Sequence, residues 1–497
     1  MKTDRMVLGE NAVYSTNCNE TGLNNNVLVC ASSGAGKSVS ILEPRLLETF
    51  NSSLVVTVTK RRLVDKYKDV FRGRGYNVFD LNFVNPEEST VSFDPLAYIT
   101  SYSDITFLAE SIVMSNPRKG AKTNSADPYW DEASTSLLSS LIAYVLMTED
   151  KPTFTSVLKI MDSLNVKESG SGITTSIDAK FERIAKKDPN CFAVTCWNSF
   201  RLLPIKTASS VYCTLNTTID TIFSPELRKI IENKKNVDFE QLASQKTILF
   251  VSTSAVNPSL NCFVNMFYAQ TFKQLFEYAE SLPSGKLPIP TAVLCDDFAT
   301  GSKILNFPEY ISIFREKQIS VVLLCQSESQ LERMYGYEDM VTIINNCDTY
   351  VYMGGMNLKT AHNISLRLNV PLDEVLYMPI GHEIIFRRGS NPLVTTRIDI
   401  TKNKEYQKIT RQYEKKVRKV ESQKKEMIRT ASLKEKQKNF IREIRSPSKE
   451  KLYKQQNDKL RQNHRHTHTD LDDIQDMIDI QTELEIKFNE LFGISEE

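Results

Sequence analysis

The run NVLVCASSGAGKSVSI, beginning at Asn26, limits what this chain can fold into more than any other stretch. Its first five residues read as a buried strand. The small residues that follow read as a tight loop, and SVSILEPRLLETF reads as a helix with Ile41, Leu42, Leu46 and Leu47 inward and Glu43, Arg45 and Glu48 outside. A strand, a glycine-bearing loop and a helix start make a phosphate cradle, because unpaired amides and the helix dipole favour an anion there. The candidate cofactor-binding residues are Ser33, Gly34, Ala35, Gly36, Lys37, Ser38 and Val39. Lys37 is placed to reach the β- and γ-phosphates of ATP, and the Ser38 hydroxyl to bind Mg²⁺. Ala31 stands where this pattern normally has glycine. That position is the strand exit rather than the phosphate face, and alanine adds one methyl.

NSSLVVTVTK supplies a second strand with a continuous apolar run, KRRLVDKYKDVFRGRG a charged helix closed by glycine, and YNVFDLNF a third strand. This βα repetition predicts a doubly wound, mostly parallel α/β sheet. Between 101 and 240 no run matches a core strand, and DITFLAESIVM, WDEASTSLLSSLIAYVLM and FTSVLKIMDSLNV have helical spacing. Strands resume at TILFVST and continue through TAVLCDDF, ISVVLLCQS and CDTYVYMG, interleaved with helices. The expected organisation is a nucleotide-binding domain over 1–100 and 241–400, an inserted helical domain over 101–240 and a charged tail, helical or flexible, over 401–497.

A phosphate loop needs carboxylates at the end of a neighbouring strand, and TAVLCDDF offers Asp296 and Asp297. Asp296 is the candidate Mg²⁺-side acid, and Asp297 the candidate for orienting or deprotonating the attacking water. Adjacent strand residues point oppositely, so the two divide these roles only if the strand ends there. Gln326, closing the apolar strand SVVLLC, is a candidate sensor of the γ-phosphate or lytic water. Arg315 has two readings: a finger entering a neighbouring subunit's site, or an ordinary solvated helix arginine.

The rest of the composition narrows the function. The 497 residues, 41% of them hydrophobic, suffice for more than one packed domain. The nine cysteines form no CxxC pair and read as buried small residues in a reducing compartment. With no run of 18 apolar residues and no signal-like N-terminus, the expectation is a cytoplasmic protein. The net charge of +1 hides an asymmetry: residues 401–470 carry 22 Lys/Arg against 9 Asp/Glu, and residues 471–497 carry 1 against 9. The basic stretch suits either nucleic-acid phosphates or solvent, and the acidic end, with an apolar rhythm from Ile474 to Leu491, suits a protein partner. His464, His466 and His468 alternate in a polar tail without a cysteine or carboxylate shell, a poor metal site.

The ordered motifs NVLVCASSGAGKSVSILEPRLLE, SFDPLAYI, DPYWDEASTSLLSSLIAYVL and AVLCDDFATGSKILNFPEYISIFREKQISVVLLCQSESQLERMYG, with NCDTYVYMGGMNLKTAHNISLRL, resemble the coupling proteins of conjugative type IV secretion, the VirD4/TraG family. The resemblance runs from about residue 24 to about residue 400. It implies a RecA-like P-loop ATPase with an inserted all-helical domain, hexameric when active, that brings relaxase-bound single-stranded DNA to a secretion channel. On this resemblance Lys37 and Ser38 take the phosphate-loop roles, Asp296 the Mg²⁺-side acid, Asp297 the position usually held by a catalytic glutamate, and Gln326 the strand-closing glutamine. The sequence departs from the pattern in three places: Ala31, Asp297, and Val58-Thr59 where Asp-Pro commonly precedes the lysine at Lys60. Most members also begin with membrane-spanning helices, whereas this chain starts about 25 residues before its loop. A soluble form reaching the inner face of the membrane through a separate anchor protein is the resulting expectation. A nucleotide-binding recruitment adaptor with weak or no hydrolysis is the alternative.

Overall fold

Strands buried on both faces need apolar residues at nearly every position, and the segments picked out above form such a sheet. The computed structural model describes residues 2–115, 128–169, 172–232, 234–254 and 257–444. Its strands are β1 (Arg5–Gly9), β2 (Ala12–Ser15), β3 (Val27–Cys30), β4 (Ser53–Val58), β5 (Asn77–Asn82), β6 (Val166–Ser169), β7 (Gly172–Thr175), β8 (Thr247–Ser252), β9 (Thr291–Cys295), β10 (Ile319–Cys325), β11 (Thr349–Tyr352), β12 (His382–Arg387) and β13 (Leu393–Thr396). Nine of them form one sheet in the order β13-β12-β11-β3-β10-β9-β4-β8-β5. The seven from β11 to β5 run parallel, and β12 and β13 turn back antiparallel at one edge.

Alternate residues of each strand build two cores. Val27, Val29, Leu54, Val56 and Leu294 pack beneath the helices Glu43–Leu47 and Arg62–Gly73 and the hairpin β1–β2. Leu28, Cys30, Val55, Val293 and Leu323 face the other way, toward the helices Pro258–Ser281 and Phe307–Lys317. Among the described residues, eight α-helices, from Tyr102–Met114 to Phe239–Ser244, lie between β5 and β8 in sequence. Ser101 and Asp104 start the first of them with a reciprocal capping box, and Trp197 stacks on Phe181 at 4.3 Å inside this group.

Several features escaped the sequence reading. The hairpins β1–β2 and β6–β7 are short and partly polar, and the edge pair β12–β13 follows a stretch with no strong strand signal. Glu43 and Arg45, expected outside, are buried. Glu43 accepts from Lys66 Nζ at 2.7 Å and Tyr67 Oη at 2.8 Å, so the next helix covers the surface that periodicity assigned to water. All nine cysteines are free; six are buried, including Cys30, Cys262, Cys295 and Cys325, while Cys213 is exposed.

The chain divides into a unit ending at Tyr413 and a second beginning at Glu414. The long helix Lys404–Ile444 begins in the first unit, where Glu405 pairs with Arg74 at 2.9 Å and Ile409 is buried. The second unit, as far as it is described, is the rest of that helix, with its described side chains largely exposed. The histidine run at 464–468 and the acidic amphipathic end lie outside the described residues. Among the described residues no helix is long and apolar enough to cross a membrane.

Candidate nucleotide site

The loop after β3 has the backbone its composition anticipates. Gly34 and Gly36 have φ of 76° and 84°, the left-handed region that glycine adopts without strain. A Cβ at Gly34 would meet nothing within 4 Å, so that position opens onto the cradle. Ala31 is not among the residues with positive φ. Its amide donates to the Cys325 carbonyl at 3.1 Å and its side chain is buried in the core, so nothing at this position calls for glycine. The helix that follows starts with a wide π turn over Ser38–Leu42. Pro44, one turn on, has no amide for the Ser40 carbonyl, and the wider turn accommodates that missing bond.

The candidate side chains other than Arg315 converge on the carboxyl ends of the parallel strands. Lys37 is buried, and its ammonium donates to the carbonyls of Ala31 at 2.8 Å and Ser32 at 3.3 Å. Ser38 Oγ donates to Asp296 Oδ2 at 3.4 Å, which joins the loop to the acidic motif across 258 residues of chain. β9 ends at Cys295, so Asp296 and Asp297 occupy the turn beyond it, and the condition for dividing their roles is met. Burial, and then the neighbouring Asp297, push the Asp296 carboxyl up to about 6, while Lys37 and the hydrogen bonds from the Asp297 amide and Ser38 oppose this. A half-buried acid held between a second carboxylate and a hydroxyl is a donor set suited to a hard divalent cation such as Mg²⁺.

Asp297 has φ of 55°, and Ala299 and Gly301 also lie in the left-handed region, so the backbone reverses repeatedly after β9. Asn265 holds this turn by donating to the carbonyls of Thr300 and Ser302, each at 2.7 Å. Aspartate tolerates a left-handed backbone better than most residues because its side chain is short and polar. Gln326 follows β10, the strand lying between β3 and β9, and is therefore beside the loop's first residue. Arg315 is exposed near the end of the helix Phe307–Lys317, just before β10 begins, at the opposite end of the sheet from the loop of its own chain.

Sequence reasoning missed Arg397. Its guanidinium donates to the Ala35 carbonyl in the loop and to the Met353 carbonyl at 2.7 Å. It follows β13, and only the backward fold of the antiparallel edge brings it to the loop, so no local sequence signal marks it.

The strand order, the loop and the acids beyond β9 define a RecA-like P-loop nucleotide-binding fold with a group of helices between two of its strands. The family described as "Type IV secretory system Conjugative DNA transfer" matches residues 1–369, and the chain belongs to it. Among solved structures, the plasmid coupling protein TrwB in complex with the non-hydrolysable ATP analogue ADPNP is similar at a TM-score of 0.60 and 16% identity, over 80% of this chain and 89% of that one. TrwB in complex with ADP and Mg²⁺ matches at 0.59, with the same identity and coverage. VirB4 of Thermoanaerobacter pseudethanolicus matches at 0.50 and 12% identity, over 80% of this chain and 98% of that one. No curated protein sequence matches the chain. The expected class, a conjugative coupling protein on a RecA-like scaffold, is thus the family in which the chain falls.

Proposed function

We propose that the chain is the ATP-driven coupling protein of a conjugative type IV secretion system. In this reading it recruits relaxase-bound single-stranded DNA and drives its transfer into the secretion channel. The observation that carries the ATP reading is the contact of Ser38 with Asp296 beside a buried Lys37, beyond adjacent parallel strands, on the fold TrwB shows with ADPNP and with ADP and Mg²⁺.

In this reading the loop amides from Ser33 to Ser38 and the N-terminus of the following helix take the phosphates. Lys37 exchanges its two carbonyl partners for phosphate oxygens. Ser38 and Asp296 would hold Mg²⁺, which would supply charge neutralisation on the transferring phosphoryl group. Asp297 is the carboxylate left to orient the attacking water and take its proton, one methylene shorter than a glutamate there, and Gln326 lies where the γ-phosphate or that water would be sensed. Arg315, far from its own loop, serves only a neighbouring subunit's nucleotide, so turnover requires the homo-oligomer, a hexamer by family resemblance. The helices between β5 and β8 form the inserted domain that faces the relaxase and its DNA, the two nucleotide-binding segments flank it, and the charged tail beyond Tyr413 is a unit of its own. Attachment at the inner face of the membrane is through a partner protein.

Mixing variants tests the shared-site part of this reading. Lys37→Ala and Arg315→Ala should each be inactive alone. Mixed in equal amounts they should regain part of the turnover, since some interfaces then pair an intact Lys37 with an intact Arg315. Particle mass measured with ATP and single-stranded DNA should show the oligomer. No recovery on mixing, with a monomer under every condition, would contradict intersubunit catalysis.

A further inference from the structure

Arg397 is the charged side chain beside the loop to which the nucleotide reading gives no task. One of its Nη atoms donates to the Ala35 carbonyl and the other to the Met353 carbonyl at 2.7 Å. Ala35 lies between the two left-handed glycines, and Met353 directly follows β11, the neighbour of β3. The guanidinium therefore ties the loop to the sheet from the side of β11. The Ala35 carbonyl and the Gly36 amide belong to one planar trans peptide, so the N–H points opposite to the oxygen. Holding that oxygen toward Arg397 turns the Gly36 N–H away from the guanidinium. An Arg397 Nη atom also stands 4.0 Å from where a Cβ of Gly36 would be.

Glu383, on β12, lies within electrostatic reach of the arginine. It is fully buried, and among the described residues neither carboxylate oxygen has a hydrogen-bond partner. Arg397 is the charge that favours its ionised form. Gly9 leaves room for it, since a Cβ there would lie 2.5 Å from Glu383 Oε1.

We propose that Arg397 is a positioning residue of the phosphate loop, which holds the Ala35–Gly36 peptide so that the Gly36 amide faces the nucleotide phosphates. The inference rests on the loop being an ATP site. Arg397 acts through the peptide and not on the reacting phosphoryl group, so its loss should weaken nucleotide binding more than it slows the reaction of bound nucleotide.

The test uses the full chain with Mg²⁺ and a fluorescent ATP analogue, comparing wild type, Lys37→Ala, Arg397→Gln and Arg397→Lys. Arg397→Gln should bind about tenfold more weakly and raise KM by the same factor, with kcat at saturating ATP within about twofold of wild type. Arg397→Lys keeps the charge but lacks the fork that spans two carbonyls, so it should fall between, at an unchanged thermal midpoint. If Arg397→Gln does not fold, Arg397→Lys decides: weaker binding at the wild-type midpoint supports the proposal. Wild-type affinity in either variant, a kcat loss without a change in KM, or an affinity loss in Arg397→Lys that tracks a lowered midpoint overturns it. Lys37→Ala separates the two levels. If it binds nucleotide as wild type does, the ATP-site reading itself fails. If it loses binding while Arg397→Gln keeps it, only the role of Arg397 fails.

Discussion

Replacing Asp296 by asparagine should make the nucleotide-free protein more stable while it removes the Mg²⁺-dependent function. The folded state raises the Asp296 carboxyl from 3.8 to about 6, because burial and Asp297 both disfavour its charge. An acid raised in this way favours folding fully below its unfolded value, and that contribution is lost as pH climbs through the folded value. Above pH 6 the full difference corresponds to ~3 kcal/mol, and the partial exposure of the carboxyl reduces the expected gain to about 1–2 kcal/mol. Asparagine keeps the shape and removes the charge, but its amide oxygen cannot accept from both Ser38 and the Asp297 amide as the two carboxylate oxygens do. Thermal unfolding without nucleotide, at pH 5 and pH 7.5, measures the effect. Asp296→Asn should have the higher midpoint at pH 7.5, with roughly half that advantage at pH 5, and Mg²⁺ should no longer strengthen ATP binding. A variant less stable than wild type at pH 7.5, or an advantage independent of pH, would refute the electrostatic account of this acid.

Other expectations follow from the same geometry. In the wild type, Mg²⁺-dependent nucleotide affinity should fall as pH drops below about 6, because protons compete with the cation for Asp296; binding titrations across pH 5–8 check this. Glu383→Gln should stabilise the protein by an amount that grows with pH from the ordinary glutamate value of 4.5 up to about 8 and then levels off, since the buried carboxyl is raised to that value; denaturant unfolding at several pH values reads it. Gly301→Ala should cost about 2 kcal/mol or more, because Gly301 has φ of 79° and a Cβ there would lie 2.8 Å from Asn261 Cβ and 2.9 Å from the Cys262 amide; a lowered thermal midpoint is the readout.

The parallel core was legible because its strands are continuous apolar runs and its loop carries a lysine and glycines in fixed order. The acids were legible because TAVLC ends at Cys295, which the apolar run itself shows. What remained hidden depends on distant parts of the chain meeting. Glu43 and Arg45 follow helix periodicity outward, yet a second helix and the N-terminal hairpin cover them. Arg397 sits in a polar edge segment and reaches the loop only through the antiparallel return of β12 and β13. The left-handed backbone at Asp297 is likewise invisible in the letters, although it bears directly on why aspartate fits there.

In the proposed function the loop at 31–38 binds ATP for turnover linked to DNA. Steady-state ATP hydrolysis by the purified protein with Mg²⁺, with and without single-stranded DNA, beside a Lys37→Ala control, tests it most directly. Turnover in the wild type should rise with single-stranded DNA and disappear in Lys37→Ala. Turnover no greater than that of Lys37→Ala under both conditions would contradict it and leave a nucleotide-binding recruitment adaptor in its place.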